Sequence, residues 1–121
     1  MIKRSGNYGV LHEVVEHNGI LHIGGIVADD PTLDMAGQTT QVLRELARLL
    51  QAHGSGIDRI LQILVFITDM SQKPAMNRAW TAFFSDPTIL PARATLGISA
   101  IEEGVLIEIV TTAARYDETS A

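Results

Sequence analysis

The sequence predicts an α+β protein in which two helices cover one face of a mixed sheet, in the order β-β-α-β-α-β-β. Three observations carry this expectation. Short β-prone runs flank Asn18-Gly19, the strongest two-residue hairpin signal. Two stretches, opening at Asp34 and at Pro74, place apolar residues at helical spacing. Residues 60–68 are apolar on both alternating faces except at Gln62, as in an interior strand covered on two sides.

Taken in order, residues 1–9 form a polar, glycine-containing lead-in with room for a short edge strand at 2–4. Residues 11–16 and 20–24 then make the first hairpin through His17-Asn18-Gly19. Gly24-Gly25 ends its second arm and admits two meanings: an ordinary turn, or a bulge that lets a ligand or another backbone come close. Asp34 is placed to cap a helix whose stripe includes Met35, Val42, Leu46 and Leu50, and Gly54 ends it. Gly37 weakens the first turn by up to about 1 kcal/mol relative to Ala. After the interior strand, Pro74 suits the first turn of a second helix with Met76, Trp80, Phe83 and Phe84 as its core stripe, stopped by Asp86-Pro87. Residues 92–98 and 105–112 read as the last two strands, and the chain from Tyr116 onward as a polar tail.

Each of these last strands carries one charged residue. Arg93 alternates with small and apolar neighbours, and Glu108 interrupts an apolar stripe, where a lone carboxylate is costly unless paired. An antiparallel hairpin about the loop at 99–104 would make the two direct or diagonal neighbours. The pairing can then be a structural cross-strand ion pair or part of a reactive site, and the spacing leaves both open.

With 121 residues, 46% of them hydrophobic, the chain fits one domain spanning residues 1–121 that buries roughly two-thirds of its unfolded surface. A net charge of -5 and no basic run beyond Lys3-Arg4 argue against a nucleic-acid partner. The absence of Cys removes thiolate chemistry, and His12, His17, His22 and His53 do not cluster, so no metal is expected. Neither a phosphate loop nor a Gly-x-Ser-x-Gly elbow is present. No signal peptide or membrane span is evident, and a soluble cytoplasmic protein is expected. Because two helices cover a single face, the other needs a partner, and a closed homo-oligomer with interfaces against the Arg93 and Glu108 face is the expected cover.

Pro91-Ala92-Arg93-x-Thr95, the following Ile107-Glu108-Ile109 at a 15-residue Arg-to-Glu interval, and Asn77 before Arg78-Ala79-Trp80 resemble the reactive intermediate deaminase family, RidA or YjgF. The resemblance implies a chorismate-mutase-like α+β fold and a homotrimer. It also implies clefts between subunits where enamines and imines of amino acids are hydrolysed to 2-keto acids and ammonia without cofactor or metal. In that pattern Arg93 holds the substrate carboxylate, Glu108 positions or activates water, and backbone groups of Thr95 assist. Gly24 and Asn77 fall on the substrate-binding side. Gly24-Gly25-Ile26 replaces a common Ser-Gly-Gln, Leu11 takes the place of a frequent Tyr, and Gly97 that of a frequent Glu, which implies a roomier, more apolar pocket. Two further readings stay open: a regulatory trimer that binds a carboxylate metabolite without turnover, and the endoribonuclease or translation-inhibitor role with which some members are labelled.

Overall fold

A computed structural model describes residues 1–117. The chain opens with β1 (Lys3–Asn7), β2 (His12–His17) and β3 (Ile20–Val27), a meander in which β1 is longer than the short edge strand expected. Asn18 and Gly19 both have positive φ, 53° and 77°, as a tight two-residue hairpin turn requires. Helix α1 (Met35–Ala52) is capped by Asp34, whose carboxylate accepts from the Gly37 amide at 2.8 Å, and Gly54 follows its end with φ 75°. Then come β4 (Ile60–Ile67), α2 (Lys73–Phe83) with Pro74 in its first turn, β5 (Ala92–Gly97) and β6 (Ile107–Ala114).

The six strands form one sheet in the order β1-β2-β3-β6-β4-β5. This overturns the expected hairpin of the last two strands: β5 and β6 are not neighbours. β5 lies parallel to β4, with Arg93 opposite Ile63, while β6 runs antiparallel to both β4 and β3. The physical reason is α2, which returns the chain to the start of β4 so that the next strand runs parallel beside it. Residues 98–106 then step over the end of β4. The Ile98 amide donates to the Ile67 carbonyl at 2.9 Å on one side, and the Thr68 amide to the Leu106 carbonyl at 3.1 Å on the other. Crossing one strand needs only about 10 Å, well within the reach of that segment.

The crossing is held by a buried side chain. Gln38 on α1 is fully enclosed; its amide donates to the carbonyls of Gly104 (2.8 Å) and Leu33 (3.0 Å), and its carbonyl accepts from the Leu106 amide at 2.9 Å.

Both helices pack on one face, where Leu21, Ile63, Val65, Ile67, Ile107 and Ile109 meet Leu43, Leu46 and Leu50 of α1 and Met76 and Trp80 of α2. The opposite face carries Leu64, Phe66 and Val110, all half-buried, with no helix over it. Its apolar character follows the sequence expectation, but its charged residues do not. Register places Glu108 beside Phe66 on this open face and Arg93 beside Ile63 on the helix face, so the two residues expected together are separated by a strand and by the sheet itself.

Candidate functional site

Glu108 owes its position to two glycines. The β3–β6 register shifts between Ile23 and Ile26, so Gly24-Gly25 forms a bulge. A Cβ on Gly25 would overlap Glu108 Oε2 and lie 2.9 Å from its Cδ, so the carboxylate rests where a side chain is missing. The glycine pair does not end the arm in an ordinary turn: β3 runs on to Val27, and the glycines form the bulge, approached at Gly25 by a side chain rather than by another backbone. Glu108, Gly24 and Gly25 line a cavity of about 400 Å³, with Leu11 on its wall. Tyr8 lines it too, and sequence reasoning missed it: it sits in the turn joining β1 and β2, where its amide donates to the Leu11 carbonyl at 2.9 Å. An aromatic residue inside a glycine-rich turn was the only signal.

Arg93, Thr95 and Asn77 lie elsewhere. β5 is an edge strand, and its Arg93 guanidinium stacks over the Trp80 ring with 4.9 Å to the centroid. Partial burial lowers the guanidinium pKa from its ordinary value, and the group remains a cation at neutral pH. Thr95 follows on the same face of β5, and Asn77 precedes Trp80 by three residues on α2, hence on the same side of the helix. Thr95 Oγ1 and Asn77 Oδ1 are both buried without a hydrogen-bond partner. Buried polar atoms of this kind normally find one, so the seam between α2 and β5 offers polar groups that nothing among the described residues satisfies.

The structure therefore gathers Glu108 and Gly24 in one place and Arg93 with Thr95 and Asn77 in another. Among the described residues neither Arg93 nor Glu108 forms an ion pair. Chemically, a free carboxylate in a cavity can take a proton from water and return it, and a free guanidinium presents a fork to a carboxylate. No group of three or more His, Asp or Glu among the described residues is placed to hold a metal ion, and none of their helices is long and apolar enough to cross a membrane.

The family model described as Endoribonuclease L-PSP matches residues 2–115. This chain belongs to the RidA/YjgF family. A RutC family protein of Haemophilus ducreyi is 34% identical over 114 residues, covering 94% of this chain and 97% of that protein. Among solved structures, a YjgF family protein from Neisseria meningitidis has a TM-score of 0.90 at 28% identity, with 97% of each chain covered. A Rid family protein from Yersinia pestis has a TM-score of 0.81 at 31% identity, covering 89% of this chain and 90% of the other. The mixed sheet with two helices on one face is the RidA/YjgF α+β fold.

Proposed function

We propose that this RidA/YjgF protein hydrolyses imine and enamine derivatives of 2-amino acids to 2-keto acids and ammonia, in clefts between the subunits of a homotrimer. The observation that carries the reading is the separation of Arg93 and Glu108. Opposite charges about 4 Å apart attract by roughly 4 kcal/mol at an effective dielectric near 20, yet neither residue has a counter-ion among the described residues. Each is half of a site, and the uncovered apolar face that carries Glu108 is where a second copy would bring Arg93. In that cleft Arg93 grips the substrate carboxylate through paired hydrogen bonds, with its position fixed by Trp80. Free backbone groups along the β5 edge near Thr95 take further substrate hydrogen bonds.

Glu108 orients a water and accepts its proton as the oxygen bonds to the imine carbon. It then gives the proton to the nitrogen, forming a carbinolamine; Glu108 next carries the hydroxyl proton to the same nitrogen as the C–N bond breaks, so that ammonia leaves and the ketone forms. No redox step occurs and no cofactor is needed.

The assay is ammonia and keto-acid release from imines generated in situ by an amino-acid oxidase. The expected result is acceleration over the spontaneous rate, abolished in Glu108→Gln; no acceleration with any imine would remove the reading. One feature favours the non-catalytic alternative: Gly24 supplies the cavity with no hydroxyl, and its phenol comes from Tyr8 rather than from position 11. Tight carboxylate binding without turnover would establish it. The ribonuclease label fits poorly, because the cavity carries carboxylates and no basic residue to meet phosphates.

A further inference from the structure

The Glu108 cavity is more acidic than a cleft for small anionic imines requires. Besides Glu108 it is lined by Glu13, Asp29 and Glu45, and by no Lys, Arg or His. Glu45 is already matched by Arg48, one turn further along α1, through contacts of 2.9 Å (Nε to Oε2) and 2.5 Å (Nη2 to Oε1). Glu13 and Asp29 form no ion pair among the described residues. Even with Arg93 of a second copy delivered to the cleft, Asp29 has no ion-pair partner among the described residues, and Glu13 shares only the field of Arg48, which Glu45 already binds.

An inorganic ion does not resolve this, since no three of the described carboxylates are placed to share one metal. An organic cation does. The Tyr8 ring lines the same cavity, and an aromatic face beside carboxylates is a favourable seat for an ammonium or guanidinium. Size agrees: about 400 Å³ lies within the range of pockets that enclose ligands several times larger than a three-carbon imino acid.

Resting on the reading of this cavity as the reactive cleft, we infer that the preferred substrate is the imine of a 2-amino acid whose side chain ends in a cation. Its carboxylate goes to Arg93, its imine carbon to Glu108, and its distal guanidinium or ammonium to Glu13, Asp29 and Tyr8. A substrate of this kind adds a positive charge where a neutral one leaves the acidic wall unmatched.

The test compares imines made in situ from arginine and from norleucine, whose uncharged side chain is about two atoms shorter. The expected kcat/KM is at least about tenfold higher for the guanidino imine, with most of the difference in KM. That preference should shrink severalfold between about 20 mM and about 500 mM salt as screening weakens the charge contacts. In the Glu13→Gln, Asp29→Asn double variant the ratio should fall to within about twofold of unity. Equal rates in the unaltered protein, or a preference indifferent to salt, overturn the inference whether or not the variant folds. If neither imine is turned over, the deaminase reading fails, and equilibrium binding of 5-guanidino-2-oxopentanoate against 2-oxohexanoate decides the specificity. About tenfold tighter binding of the guanidino acid upholds it; equal binding, or none, overturns it.

Discussion

At the scale of single residues, Gly25 is the sharpest handle on Glu108. Gly25→Ala puts a methyl group where the carboxylate lies, and the flexible end of Glu108 yields before the backbone does. Turnover should fall at least about tenfold with a stability change under about 1 kcal/mol. Gly24→Ala, whose new methyl meets nothing closer than the Glu13 carbonyl at 3.6 Å, should cost severalfold less, and steady-state kinetics beside urea melts distinguish the two. Arg93→Lys keeps the charge but loses both the fork and the flat stack on Trp80, so KM should rise more than kcat falls.

A third expectation concerns acid. The carboxylates of Asp30, Asp69 and Asp86 each accept from the hydroxyl and amide two residues on, in Thr32, Ser71 and Thr88. These bonds, hydroxyl first, hold all three pKa values below the ordinary one. A depressed carboxylate stabilises the fold fully above the unfolded value near 4 and loses that contribution as pH falls through the folded one. The triple Asp→Asn variant should therefore show a shallower fall of its urea midpoint below about pH 4 than the unaltered chain.

At the scale of elements, Gln38 joins α1, the loop before it and the crossing into β6. Gln38→Leu keeps the volume and strands the Leu106 amide and Gly104 carbonyl, and chemical denaturation should show a loss of about 2 to 4 kcal/mol. The contrast with what the sequence disclosed is instructive. Asn18-Gly19, Asp34 and Pro74 were legible because each meets a local backbone demand that its own chemistry satisfies. The partners of β5 were not, because strand adjacency depends on where α2 delivers the chain, and neither Arg93 nor Glu108 records that. Hairpin arithmetic assumed that sequential strands pair, whereas the crossover puts a whole strand between them. Glu108 and Gly24 could be linked through the glycine pair, but Tyr8 and Asp29 reach the cavity from connections whose residues carry no periodicity, and Glu13 from β2, whose alternation gives no sign of a cavity.

At the scale of the whole molecule, the proposed reading makes oligomerisation a condition of activity, because Arg93 and Glu108 lie on opposite faces of the sheet. Sedimentation at micromolar concentration should find trimer and no stable monomer. Mixing Arg93→Ala and Glu108→Gln chains in equal amounts, unfolding and refolding them together, should restore about a quarter of the normal number of sites, since each mixed trimer regains one of three. No recovery would place both residues in a site within one chain. The position of β6 has a further consequence for biosynthesis. Of the six strands described, the one that emerges last from the ribosome is also the one that joins β3 to β4. Until residues 107–114 appear, the nascent polypeptide can hold only a three-stranded meander and a separate two-stranded βαβ unit, each presenting an unpaired edge to the other or to a neighbouring chain. A message truncated before residue 107 would thus yield an aggregation-prone chain of two unjoined units rather than a smaller protein, and chaperone demand should peak late in translation.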